Sequence, residues 1–193
     1  MAAYGDNVYI AWNMEGHNLD ERDNEGLFFV RSLDRGNTFE NIIRLNQENN
    51  FGELQVAAFD ETAYVVSGGL HSLNADGVFF TKSIDAGRSF SEPMTIDENP
   101  TFVNPLNVEV SAYDEQVSYV AAEVSVLGNE EIVLMEMSDD DNNINSTRVI
   151  NLSNNPKTSE CPSIAMAGDN IYVVWEDITP GNHEILYAKG IRA

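Results

Sequence analysis

Three histidines and a scatter of carboxylates are the residues whose chemistry stands out. His17 and His71 each follow an aspartate by 11 residues (Asp6, Asp60), and His183 follows Asp169 by 14. Around them lie Glu15, Asp20, Asp23, Asp76, Glu176, Asp177 and Glu184. Imidazoles mixed with carboxylates suit Zn or another transition metal, and oxygens alone suit Ca. No H-x-x-x-H or H-x-H spacing pre-orients a pair, so solvated loop histidines are the plainer reading. The stretch Asp139-Asp140-Asp141-Asn142-Asn143-Ile144-Asn145 alternates oxygen-bearing side chains as a calcium loop does, with Asp139, Asp141 and Asn143 as its candidate ligands. It carries Ile144 and Ile150 where such a loop needs Gly and Glu, which favours a solvated acidic turn. Trp12 and Trp175 offer either a stacking face for a sugar or packing mass for a core. The residues establish no cofactor; Ca or another divalent cation is the one these oxygens would suit.

Charge narrows the partners. Ten basic residues against 32 acidic ones give a formal charge of -22. Nothing there releases counterions from a nucleic acid, so a nucleic-acid partner is excluded, and a carbohydrate, a cation or a protein surface fits better. No apolar run reaches the roughly 18 residues of a membrane-spanning helix. The single Cys161 leaves no internal disulfide and reads as a small buried hydrophobe.

What must position these residues is a repeat. Tyr4-Gly5-Asp6-Asn7, Phe59-Asp60-Glu61, Tyr113-Asp114-Glu115 and Ala167-Gly168-Asp169-Asn170 recur with aspartates 54, 54 and 55 residues apart. Each is preceded by small residues and followed by a β-branched, aromatic run: Val8 to Trp12, Thr62 to Val66, Val117 to Val120, Ile171 to Trp175. Such runs predict strands. Third strands are expected at Leu27 to Arg31, Val78 to Lys82, Ile132 to Met137 and Glu184 to Lys189, and fourth strands around Phe39 to Leu45, Phe90 to Ile96 and Thr147 to Leu152. Four antiparallel strands repeated four times, without helical periodicity, predict an all-β propeller of about four blades. We expect one domain, with repeats near 1–52, 53–106, 107–161 and 162–193. The last blade lacks its outer strand. That leaves a three-stranded blade, a piece of a larger propeller, or a blade completed by another chain, with a homo-oligomer through the open edge as one outcome.

Between the third and fourth strands stand Ser32-Leu33-Asp34-Arg35-Gly36-Asn37-Thr38-Phe39 and Ser83-Ile84-Asp85-Ala86-Gly87-Arg88-Ser89-Phe90. These resemble the Asp-box, S-x-D-x-G-x-[TS]-[FW], of sialidase-type (bacterial neuraminidase repeat) propellers. The resemblance implies a structural turn: the Asp folds the hairpin, the Gly supplies positive φ, and the Phe packs inside the blade. It further implies boxes on the periphery, away from any active centre. The catalytic set of the family is missing, since no F/Y-R-I-P motif occurs and the inner strands hold no arginine for a carboxylate clamp. The expected function is therefore a non-catalytic extracellular or cell-surface binding module for carbohydrate or protein. A structural subunit of a surface assembly and a sialidase-like glycoside hydrolase are the alternatives. The face opposite the boxes carries the longer loops, among them Glu123 through Glu130. The candidate binding rim there is Trp12, Glu15, His17, His71, Asp76, Trp175, Glu176, Asp177 and His183.

Overall fold

A computed structural model of the chain describes residues 1–14, 25–46, 52–68, 70–72, 75–96, 102–140, 143–179 and 181–191. It is all-β, built from four antiparallel sheets. The first runs β1 (Ala2–Tyr4), β2 (Asn7–Met14), β3 (Gly26–Ser32), β4 (Ile43–Asn46) from inside to outside. The second uses β5 (Leu54–Phe59), β6 (Thr62–Ser67), then after the small hairpin β7 (Leu70–Ser72) and β8 (Ala75–Asp76), β9 (Val78–Ser83) and β10 (Met94–Ile96). The third is β11 (Phe102–Ala112), β12 (Val117–Val126), β13 (Asn129–Asp140) and β14 (Asn143–Asn151). The fourth has β15 (Ser159–Ala167), β16 (Asn170–Asp177) and β17 (Glu184–Ile191). The expected blades, including the three-stranded last one, are thus present.

Apolar residues on both sides of each second strand force the sheets to stack. Tyr9, Leu27 and Phe29 of the first sheet close over Val56, Ala63, Val65 and Phe79 of the second. Tyr64, Val66 and Phe80 of the second meet Val108, Val120 and Val133 of the third. Tyr119, Ile132 and Leu134 of the third meet Ile164, Val173 and Trp175 of the fourth. Buried apolar side chains of this size each contribute roughly 1.5–3 kcal/mol, which explains why the sheets stack rather than lie open. The sheets therefore follow one another as an arc of propeller blades.

Two turns differ from expectation. Residues 123–130 form no long loop: β12 and β13 pair as far as Val126↔Asn129, and Leu127-Gly128 turn the chain with φ of 53° and 85°. Two consecutive positive φ values suit a two-residue hairpin whose twist matches its strands. The calcium-like stretch is likewise a hairpin end, with Asp139 opposite Ile144 and Asp140 opposite Asn143, while Asp141 lies outside the described residues.

In the Ser-x-Asp-x-Gly turns, Asp34 accepts hydrogen bonds from Thr38 N (2.8 Å), Thr38 Oγ1 (2.6 Å) and Ser32 Oγ (2.7 Å), and Gly36 N donates to Ser32 Oγ. Asp85 repeats this with Ser89 N, Ser89 Oγ, Ser83 Oγ and Arg88 N. The donors from Thr38 and Ser32 hold the Asp34 carboxyl down to about 2. Partial burial works against the charge on Asp85, but its donors outweigh burial and the carboxyl is likewise lowered to about 2. Each turn then docks on the first hairpin of its own sheet, through Arg35 N to Asp6 O (2.9 Å) and Ala86 N to Glu61 O (2.7 Å). The residues after each glycine are used in closing the turn, so the outer strands begin at Ile43 and Met94 rather than at Phe39 and Phe90.

The two phenylalanines part company. Phe90 meets Phe29 of the preceding sheet edge-on, with ring centroids 4.7 Å apart. Phe39, expected to be interior, is 45% exposed.

Both turn glycines have positive φ, +82° at Gly36 and +79° at Gly87, but a Cβ at Gly87 would stand 2.8 Å from Phe29 whereas one at Gly36 meets only Phe39 at 4.0 Å. Gly36→Ala should cost about 1–2 kcal/mol through its left-handed backbone alone. Gly87→Ala should cost roughly 1–3 kcal/mol more through overpacking against the neighbouring blade. Urea denaturation of the two variants side by side checks this order, and equal losses would show that the blade contact does not matter.

Candidate functional site

Because the Ser-x-Asp-x-Gly turns occupy the end of the arc formed by the first and third hairpins, the opposite end is free for binding. There the innermost strands carry an unusual set. Glu53, Asn107 and Cys161 recur at 54-residue steps, just before β5, midway along β11 and near the start of β15, and Gln55 and Glu109 recur two positions on. Inner strands otherwise use small or apolar residues, as in Val56-Ala57-Ala58.

Two of these residues sit in β-bulges. The pairing of β11 with β12 slips between Leu106 and Glu109, and that of β15 with β16 between Glu160 and Ser163. Asn107 and Cys161 occupy the slips with φ of 45° and 52°. A side chain in the left-handed region costs of order 1–2 kcal/mol, a strain that Asn tolerates best and Cys poorly. Both strained residues converge on one group: Asn107 Nδ2 donates to Glu123 Oε2 at 2.7 Å, and Cys161 N donates to the same oxygen at 3.1 Å. Bulges are enriched beside active sites because they re-aim side chains, and here two re-aim toward one buried carboxylate.

Other carboxylates surround this point. Gln55 Nε2 donates to Glu109 Oε1 at 3.0 Å across the second and third inner strands. Burial, reinforced by the Glu53 charge, pushes the Glu109 carboxyl up, so it holds its proton to higher pH than a free glutamate. Cys161 is exposed and not the buried hydrophobe expected, and residual desolvation with the charges of Glu123, Glu160 and Glu176 raises its thiol. It stays protonated at neutral pH and is a poor nucleophile. The cluster can therefore accept hydrogen bonds from hydroxyl groups. Among the described residues no three His, Cys, Asp or Glu side chains converge closely enough to hold a metal ion.

The expected rim residues divide. Glu15 and His17 lie outside the described residues. His71 falls on β7 and Asp76 on β8, the hairpin that interrupts the second sheet's loop. His183 is exposed and its Nδ1 contacts Glu176 Oε1, beside Cys161. Trp175 and Asp177 are buried instead of lining the rim. Asp177 Oδ2 accepts from Asn155 Nδ2 (2.7 Å), Ser159 Oγ (2.8 Å) and Trp175 Nε1 (3.3 Å), and Oδ1 accepts from Thr179 N (2.8 Å). That hub fastens the connection between the third and fourth sheets, which Glu131 grips from the other side through Asn129, Ser153 and Asn155 N. Trp12 stacks on Phe28 at 5.8 Å, with the Arg44 guanidinium 5.8 Å over the same ring. Asn107, Glu109, Glu123 and Glu160 were not among the expected rim residues. The signal that points to Asn107 and Glu109 is charge and amide in inner strands, repeated at the blade interval.

No protein-family model and no curated sequence matches this chain. Solved structures do. The K499G mutant of the NanB sialidase from Streptococcus pneumoniae aligns over 91% of this chain and 26% of its own length, at 15% identity and TM-score 0.64. Bacteroides ovatus xyloglucan PUL GH43B aligns over 98% and 37%, at 16% identity and TM-score 0.57. A protein of unknown function from Dyadobacter fermentans aligns over 96% and 50%, at 12% identity and TM-score 0.59. The chain thus spans between about a quarter and a half of the length of these proteins, and what it shares with them is the β-propeller fold. No helix of the described residues is long and apolar enough to cross a membrane.

Burial opposes the Asp177 charge, but the donors from Thr179, Ser159 and Trp175 prevail and lower the carboxyl to about 2, against an ordinary value of 3.8. With a depressed folded value, its stabilisation is complete above about pH 4 and fades as pH falls toward 2. Asp177→Asn should lower stability by roughly 1–3 kcal/mol at pH 7. The gap between variant and parent should narrow through that acid window. Thermal unfolding followed by circular dichroism from pH 7 to pH 2 reads both, and a gap independent of pH would show that the charge is not what Asp177 contributes.

Proposed function

We propose that this chain is a carbohydrate-binding module of the Asp-box propeller type, acting outside the cell or at its surface, with the axial carboxylate cluster as its binding site. The observation that carries the reading is the convergence of two strained bulge residues, Asn107 and Cys161, on Glu123. Strain of this kind persists where the surroundings over-determine it, and it clusters at binding sites. Glu53, Glu109, Glu123 and Glu160 bring acceptors to one mouth, which is the complement of vicinal sugar hydroxyls. Solved neighbours titled as a sialidase, a xylosidase and an arabinofuranosidase support a saccharide as the ligand class. A neutral sugar is favoured over an anionic one, because the mouth is acidic and its inner strands contain no arginine to clamp a carboxylate.

Glu109 beside Glu53 favours a second reading, glycoside hydrolysis, since a carboxyl with a raised pKa beside an ionised one is the pairing that acid-catalysed sugar cleavage uses. Calorimetry against xylan- and arabinan-derived oligosaccharides decides between them. Binding that weakens about tenfold or more in Glu109→Gln, without turnover of aryl glycosides, supports the module. Turnover that Glu109→Gln abolishes supports the hydrolase, and no heat with any saccharide removes both.

A further inference from the structure

The seam between the first two sheets is built differently from the seam that follows it. In the two Ser-x-Asp-x-Gly segments Arg31 corresponds to Lys82, Asn37 to Arg88 and Glu40 to Ser91. Lys82 Nζ reaches across to Glu115 O in the third sheet (2.9 Å), and Ser91 Oγ accepts from Lys82 N in its own sheet (3.2 Å). Arg31, buried, instead divides its guanidinium. Nε and Nη2 donate to Glu40 Oε2 (3.0 and 2.7 Å), while Nη1 donates to Ala86 O (2.8 Å) and Asp85 O (3.3 Å) in the second sheet's turn. One N–H, on Nη2, is left over. Asn37 Nδ2 donates to Asp34 O and helps close its own turn, whereas the Arg88 side chain in the same place is exposed and makes no hydrogen bond or ion pair among the described residues.

A groove opens where these groups meet. On the outer flank of the seam lies a cavity of about 390 Å³, lined by Arg31, Phe39, Glu40, Asn41 and Ile43 from the first sheet and by Arg88 from the second. A second cavity of about 270 Å³ shares Arg31 and Arg88 and continues past Asn7, Leu33 and Glu61. Both walls belong to consecutive sheets in the interior of the chain. The chemistry here is mixed: Arg31 and Arg88 donate, Glu40 and Glu61 accept, and the amides of Asn41 and Asn7 do both. Glu40 commits only Oε2 to Arg31, with half of its side chain exposed, so Oε1 is free. Cations and carboxylates are interleaved, so a simple ion of either sign meets its like charge as well as its opposite. Neighbouring hydroxyls, each both donor and acceptor, match this pattern, and Phe39 and Ile43 add an apolar wall for the C–H face of a ring.

We propose that this groove is a second saccharide site, separate from the axial mouth, that takes neutral sugar residues of a polysaccharide. Glu40 Oε1 accepts from one hydroxyl and the Arg88 guanidinium donates to its neighbour, with the remaining Arg31 N–H and the Asn41 amide completing the set. Arg31 is a positioning residue. It is held from both sheets at once, which fixes Glu40 against the second sheet's turn before a ligand arrives and lowers the cost of ordering the site. The axial mouth offers chiefly acceptors, whereas this groove offers donors as well. Two sites on one chain would strengthen attachment to a polymer that reaches both. The groove does not depend on what the mouth binds.

Calorimetry and saturation-transfer NMR with xylan- and arabinan-derived oligosaccharides test it, on the whole chain carrying Glu109→Gln to silence the mouth. We expect saccharide binding to persist in that background and to weaken about tenfold or more when Arg88→Ala is added, as loss of a hydrogen bond from a charged donor does. Asn41→Ala should weaken it less, because its amide is neutral. Both side chains are exposed and free of hydrogen bonds among the described residues, so circular dichroism should not change. In the otherwise unaltered chain, Arg88→Ala should leave the Glu109-dependent binding in place. Loss of all binding in Glu109→Gln alone overturns the groove and spares the mouth, and absence of binding in every form overturns both. Binding in the Glu109→Gln background that neither Arg88→Ala nor Asn41→Ala disturbs overturns the groove as well. So does capture of galacturonate or of a polyglutamate peptide in preference to a neutral sugar, which would make it an anion site.

Discussion

A sheet whose second strand is buried on both sides has no face to give to water. Val117–Val126 illustrates the constraint, with buried residues from Val117 through Val124 whichever way they point. Such a sheet is unstable by itself and becomes stable only between two others, so the dominant interaction in this molecule is the apolar contact between consecutive blades. Strand pairing within a blade supplies the surface, and stacking between blades hides it. The Ser-x-Asp-x-Gly turns are subordinate to this contact. The glycine of the second turn is small because Phe29 of the preceding blade comes within contact distance of it, and its Phe is interior because that same blade receives it.

Confining the turn-forming machinery to one end of the arc leaves the other end to chemistry. At that end the hydrogen bonds have a different character. Here carboxylates tie one blade to its neighbour, as Glu123 of the third sheet accepts from Cys161 N of the fourth, and Asp177 of the fourth accepts from Asn155 in the connection between them. The axial mouth is thereby built from three adjacent blades at once, which fixes the spacing of its acceptors through the stacking of whole sheets.

Much of the architecture was legible in the sequence because the blade interval is written in local chemistry. A turn aspartate, a β-branched run and a Ser-x-Asp-x-Gly turn each declare themselves within a few residues. Strand ends were less legible: β12 and β13 run on to a two-residue turn at Leu127-Gly128 where a loop was expected, since Glu123 and Glu130 look like loop residues until their pairing is known. The site was harder still. Asp177 and Trp175 read as rim residues, yet a carboxylate that four donors satisfy belongs inside. Glu123 reads as surface charge, and only the bulges at Asn107 and Cys161 reveal its partners, because a bulge depends on the register between two strands and not on any short run of residues.

Arg31 holds Glu40 of its own blade with one side of the guanidinium and the carbonyls of the next blade's turn with the other. Its position is therefore completed by residues that lie 54 and 55 places further along the chain. During synthesis the outer seam of the first blade must wait until the second blade has left the ribosome, and each later chapter of the polypeptide locks the one before it. Order of manufacture and order of consolidation run one blade out of step, so a ribosome that pauses between repeats would leave a blade whose clasp is still open.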